Sequence, residues 1–204
     1  MTPTDPDRLL ELLEAPGAPT QPHLSDPYWA KLWPAAPLLA TALARNPPPR
    51  GTRVLELGCG SGLVGIAAVA CGLEVAFSDY VPLAVRLALE NAARNGYPHA
   101  TGVVLDWRNA SAEQHGRFPL IVAADVTYDR TNLGPLLNLL EELLEPGGEA
   151  WFGDAGRSPV ADFLRQALDR GWSVSLYDEY DQPAIVPALG HYRRIVLRRA
   201  SSDV

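Results

Sequence analysis

The stretch Val54-Leu55-Glu56-Leu57 is apolar enough for a buried strand, and it stops at three alternating glycines, Gly58, Gly60 and Gly62. From Leu63 small apolar residues resume and run to Cys71. Strand, glycine turn and helix start, in that order, commit the chain to an α/β unit with a ligand site at the turn. Glycine lets the backbone fold back and lets a ligand come close, while the helix start offers free N–H groups at its positive end. A tight strand-to-helix turn without a ligand is the plain alternative.

Spacing decides which ligand. A dinucleotide fingerprint needs a glycine three places after the second one, and Leu63 stands there. The pattern present is Glu-x-Gly-x-Gly-x-Gly, with Glu56 two places ahead of Gly58. A carboxylate repels a pyrophosphate and welcomes an ammonium, such as the amino group of a methionine moiety. The pattern therefore favours S-adenosylmethionine over NAD. No Gly-Lys-Ser/Thr occurs, which excludes a P-loop. The segment Glu74-Val75-Ala76-Phe77-Ser78-Asp79 reads as the next strand, ending in an acid about twenty residues after the first glycine, where such folds hold ribose hydroxyls. A cap for the helix that Pro82 opens is the other reading of Asp79.

A length of 204 residues suits one domain with a sizeable core. A net charge of −7 argues against sequence-independent binding to nucleic acid. Cys59 and Cys71 fall at opposite ends of one expected helix, too far apart to pair, so a reducing cytoplasmic setting fits. No apolar run reaches the eighteen or so residues that a membrane span needs, and no signal-peptide pattern opens the chain. The histidines have no metal-ligand spacing and no metal is expected.

Residues 1–27 are rich in proline and polar residues, with one short apolar pattern over Asp7–Glu14, and read as an appendage or partial lid. Tyr28, Trp29 and Trp33 follow, ahead of a helix over Ala35–Arg45; they form either a plug beneath that helix or an aromatic wall for a cation. From Thr52 strands and helices alternate. Strands are expected at Thr52–Leu57, Leu73–Ser78, Thr101–Leu105, Leu120–Ala124, Glu149–Phe152, Trp172–Tyr177 and Tyr192–Arg198. Helices are expected to Cys71 and over Leu83–Asn95, Leu133–Leu144 and Ser158–Asp169. The result is an α/β, Rossmann-like, mostly parallel seven-stranded sheet with an antiparallel last strand and helices on both faces. Residues 28–200 would form this domain. The Arg193-Arg194 and Arg198-Arg199 pairs read as a solvated edge strand, or else as a docking strip.

Ligands on such sheets bind at the carboxyl ends of the strands. Besides the glycine turn and Asp79, that rim receives Asp106-Trp107, Asp125 to Tyr128, and Gly153-Asp154-Ala155-Gly156-Arg157. Asp106-Trp107 suits an adenine edge and face, or is a surface turn. Asp125 and Tyr128 stand where a nucleophile would meet a methyl group, or Asp125 caps a helix-leading turn.

These pieces together resemble the class I, seven-strand S-adenosylmethionine methyltransferases, and within them the lysine methyltransferase-like group. Trp33-Pro34, the Glu56–Gly62 motif, Asp106-Trp107 and Asp125-x-x-Tyr128 all match that group, over roughly residues 25–200. The resemblance implies cofactor contacts from Trp33, Glu56, Gly58, Cys59, Gly60, Asp79, Asp106, Trp107 and Ala124. It implies that Asp125 and Tyr128 frame an acceptor amine. It also implies a protein partner that supplies a lysine, with the electron transfer flavoprotein beta subunit as the suggested one. The alternatives are a small-molecule amine N-methyltransferase and a cofactor-binding scaffold without turnover. Val126-Thr127 replaces the Pro-Pro of enzymes that act on DNA adenine or glutamine, and no tyrosine has the Lys four places on that a short-chain oxidoreductase needs.

Overall fold

The computed structural model describes residues 27–185 and 189–199. The short apolar pattern over Asp7–Glu14, and the appendage or lid reading of residues 1–26, lie outside them. A 3-10 turn, Pro27–Ala30, leads into helix α1 (Ala35–Arg45). Then follow β1 (Arg53–Leu57), α2 (Leu63–Ala70), β2 (Glu74–Asp79), α3 (Pro82–Arg94) and β3 (Thr101–Val104). The chain continues through the short α4 (Ala112–His115), β4 (Phe118–Ala124), α5 (Arg130–Leu143), β5 (Leu144–Asp154) and α6 (Val160–Asp169). It closes with β6 (Trp172–Tyr177), the two-residue β7 (Pro183–Ala184) and β8 (Arg193–Arg199).

The sheet runs β3-β2-β1-β4-β5-β8-β6-β7. The first five strands in this order are parallel, and β8 pairs antiparallel with both β5 and β6. The alternating pattern is therefore realised, with an eighth strand of two residues added at one edge. Parallel strands covered on both faces read as continuous apolar runs. In β1, Leu55 and Leu57 pack under α5 and α6 with Ile121 and Phe163, while Val54 turns to the other face with Leu39, Val64 and Phe77.

Most boundaries shift by one or two residues, and three larger differences have local reasons. Helix α5 starts at Arg130 because the Asp129 side chain caps it, accepting the Thr131 N–H at 2.9 Å. Strand β5 starts at Leu144, which pairs with Phe118; the ladder shifts register across Pro146-Gly147-Gly148 and resumes at Glu149 opposite Leu120. The third difference corrects the edge reading of the arginines: β8 lies inside the sheet. Arg194 is buried, its guanidinium held by Asp181 at 2.7 Å and stacked on Tyr177 and Trp151. Arg198 pairs with Glu149 across to β5.

Candidate active site

All the glycines of the first turn sit in the left-handed region, with φ of 60°, 50° and 82° at Gly58, Gly60 and Gly62. A side chain is excluded most sharply at Gly60, where a Cβ would stand 2.6 Å from the Trp29 carbonyl oxygen. The segment from Tyr28 to Trp33 thus lies across the turn as a strap. Its far end is fastened 90 residues away in sequence: the Ala35 N–H, in the first turn of α1, donates to Asp125 Oδ2 at 2.8 Å. Trp33 Nε1 donates back to the Tyr28 carbonyl at 3.0 Å.

Between strap and sheet rim is a cavity of about 290 Å³. The expected cofactor residues Glu56, Gly58, Cys59, Gly60 and Asp79 line it on the side of β1 and β2. Trp33, Trp107 and Ala124 line it too, as do the expected acceptor residues Asp125 and Tyr128. Asp106 is the expected residue that is not brought in. Its carboxylate is taken by Arg108 two places on, at 2.7 Å and 2.8 Å, and this bond holds its carboxyl below the ordinary range. Tyr28 and Trp29, named with Trp33 as a plug or an aromatic wall, also line the cavity, and so do Lys31 and Arg157, which had no expected site role. Arg157 had a sequence signal in the Gly-Asp-x-Gly-Arg run after β5.

Asp125 follows β4 with φ 57°, a left-handed conformation unusual for a residue with a side chain. Its backbone N–H donates to the Gly153 carbonyl at 2.8 Å. Its side chain is fully buried, and Oδ1 accepts from Arg157 Nε at 3.1 Å. Arg157 is aimed by Asp154, whose Oδ1 accepts the N–H groups of Gly156 and Arg157 at 2.7 Å and 2.8 Å and whose other oxygen accepts from Thr127. The Arg157 guanidinium then lies 4.9 Å from the Trp33 ring centroid. Asp125 does not cap the helix that follows it, which Asp129 does; its carboxylate instead binds the first turn of α1 and Arg157.

Asp79 is engaged by backbone at both oxygens: Oδ1 accepts the Val81 N–H at 3.0 Å ahead of α3, and Oδ2 accepts the Gly60 N–H at 3.2 Å. Each oxygen keeps a lone pair for a ligand hydroxyl. Glu56 accepts the Gly65 N–H at 3.1 Å. Burial pushes its carboxyl up to about 8, helped by the neighbouring Asp79 charge; burial likewise raises Asp79 and the Cys59 thiol.

A pH effect follows from Glu56. Between 4.5 and about 8 the folded chain keeps a proton there that the unfolded chain has lost, so stability falls as pH rises through that window. Glu56→Gln keeps an oxygen for the Gly65 N–H and carries no titrating proton. Urea unfolding at about pH 5 and about pH 8 is expected to show a smaller pH dependence in the variant than in the parent. Equal dependence in both would remove Glu56 as the cause.

Five parallel strands joined to an antiparallel β8, with a glycine-rich first turn, an acid at the end of β2 and a cavity over the strand ends, are the frame of a class I methyltransferase. The chain belongs to the lysine methyltransferase family, whose model matches residues 24–158. It is 36% identical to the electron transfer flavoprotein beta subunit lysine methyltransferase of Mus musculus over 139 residues, which are 65% of this chain and 52% of that protein. It is 31% identical to the histone-arginine methyltransferase METTL23 of Homo sapiens over 150 residues, 70% of this chain and 78% of that one. The chain spans about half the length of the first of these relatives. In fold it is similar to a TehB-like SAM-dependent methyltransferase from Corynebacterium glutamicum, with a TM-score of 0.65 at 21% identity, covering 95% of this chain and 96% of that one.

The methyl donor of this class is S-adenosylmethionine, and the residues present fit it. The glycine turn leaves a cradle that a Cβ would fill, and Glu56 stands beside it as a buried acid whose ionised form a bound ammonium would favour. The Trp29 indole N–H is buried without a hydrogen-bond partner among the described residues, a donor suited to a ligand carboxylate.

Proposed function

We propose that the chain methylates the side-chain amine of a lysine in a protein, with S-adenosylmethionine as donor. One observation carries the reading: a single cavity joins the acidic glycine cradle of Glu56, Gly60 and Asp79 to an end built from Asp125, Arg157 and the Trp33 ring. The donor, when bound, supplies a methyl carbon activated by a sulfonium and leaves as a neutral thioether, so the protein's task is alignment and charge placement. Glu56 and the turn hold the methionine end, Asp79 the ribose, and Trp107 packs on the adenine. Ala124 brings backbone beside the sulfonium.

A lysine amine has an ordinary pKa of about 10.4 and must be neutral to attack. Arg157 disfavours a second cation beside it, as does burial from water. Asp125, already holding Arg157 and Ala35, has lone pairs left to orient the amine, and Tyr128 at the rim is the second contact. An aspartate is a poor base near neutrality, so the proton leaves to water.

Residues 28–200 form the catalytic unit in this reading, working in the cytoplasm on a protein partner. The electron transfer flavoprotein beta subunit is the partner that the relatives support. The lysine assignment is the one to test against arginine, because a relative named for histone arginine matches as well.

The test incubates the purified chain with methyl-labelled S-adenosylmethionine and extract from cells of its source. A labelled protein band that contains methyl-lysine on digestion is the expected result. Label only in small molecules, or on arginine, would overturn the reading.

A further inference from the structure

Sixteen of the seventeen lysine and arginine residues are arginine, and the single lysine, Lys31, lines the cavity described above. We infer that Lys31 is itself a methyl acceptor, modified in cis by its own active site; this rests on the lysine methyltransferase reading.

The strap carries Lys31 and is held on both sides of it. Upstream, the Trp29 carbonyl packs on Gly60 of the cofactor cradle; downstream, the Ala35 N–H is bound by Asp125 at the acceptor end. Lys31 thus lies on the strap between these two anchors, exposed at the cavity that joins the two halves of the site, on a flexible four-carbon stem. Its Nζ lies 4.7 Å from the centroid of the Trp33 ring, the ring that also meets Arg157. An aromatic face is a surface on which lysine and methylated lysine ammonium groups are both stabilised. Among the described residues no carboxylate forms an ion pair with Lys31, so the amine can swing from Trp33 toward the donor without breaking a salt bridge.

The step is the same displacement as on a foreign lysine. Lys31 Nζ gives up a proton to solvent, and its lone pair forms the new N–C bond to the sulfonium methyl. The C–S bond breaks with its electron pair kept by sulfur. The charge on Lys31 returns as a methylammonium.

Mass spectrometry of the intact purified chain tests this, first as isolated from the producing cells and then after incubation with methyl-labelled S-adenosylmethionine alone. The expected result is a methyl increment confined to the peptide with Lys31, with a fraction labelled per unit time that does not change with protein concentration. Lys31→Arg keeps the cation over Trp33; it is expected to keep the parent melting temperature and to take up no label. Label on Lys31→Arg, label on another residue, or a fraction labelled per unit time that rises with protein concentration would overturn modification in cis. If the parent chain stays unlabelled while it methylates a lysine in cell extract, the self-modification fails and the general function stands. If neither is labelled although calorimetry shows cofactor binding, both fail together.

Discussion

Asp125→Ala is expected to lower methyl transfer about a hundredfold or more while cofactor affinity changes by less than about tenfold. The reason is the number of parts this one carboxylate holds together. It is buried after β4, fastens the strap through the Ala35 N–H, and fixes Arg157 beneath Trp33. Removing it leaves a buried N–H without its acceptor and releases Arg157, at a cost of about 1–3 kcal/mol in stability. The acceptor end loses its geometry, whereas Glu56, Gly60 and Asp79 stay in place on β1 and β2. Asp125→Asn separates charge from packing. Its amide oxygen can still accept from Ala35, but the charge opposite Arg157 is gone. The variant should recover most of the melting temperature and little of the single-turnover rate. Equal loss of affinity and rate in the alanine variant, or full activity in the asparagine variant, would contradict this assignment.

Gly60→Ala is expected to weaken cofactor binding by at least a hundredfold and to destabilise the fold. Two costs combine. A φ of 50° is strained for any residue with a Cβ, at about 1–3 kcal/mol. The added carbon would also stand 2.6 Å from the Trp29 carbonyl, a backbone atom that cannot rotate away. Either the turn or the strap must move, and the cavity lies between them. Gly96→Ala is the control: its φ is 91°, but nothing lies within 4 Å of its Cβ position. It should show the strain without the loss of ligand. Calorimetric titration with S-adenosylhomocysteine reads the difference, and similar affinities for the two variants would rule out the strap contact as the cause.

The parts of the site that were legible in the sequence are those with a local signature. Glycines at alternate positions after an apolar run fix a turn, and an acid ending the next strand is at a set distance from it. Asp125 and Tyr128 could be placed because they follow a strand that the topology brings beside the first. Lys31 had no such signal, and Trp29 was legible only as part of an aromatic cluster with two readings. They join the site because of the Ala35–Asp125 bond and the contact of Trp29 with Gly60, both made between segments far apart in sequence. Asp106 is the expected residue whose carboxylate is already engaged: at a strand end it looks available until its neighbour Arg108 is seen folding back onto it. The arginine pairs near the end misled because period and charge do not show which neighbours a last strand takes. A buried guanidinium needs an acid such as Asp181 and a pair of rings, and these come from other strands and loops.

The placement of β8 between β5 and β6 has a consequence for how the molecule is made. The five parallel strands that carry the cavity can pair as they leave the ribosome, but β6 has no ladder to β5 and bonds only to β8 and β7. Its junction with the rest of the sheet must wait until the segment from Arg193 to Arg199 has been synthesised and has slid into the gap. Such a late, long-range closure is slow, because the loop entropy is lost before the pairing is gained. A ribosome stalled before Arg193 would hold a nearly finished active site with an open hydrogen-bonding edge on β5, which is a template for pairing with another nascent chain.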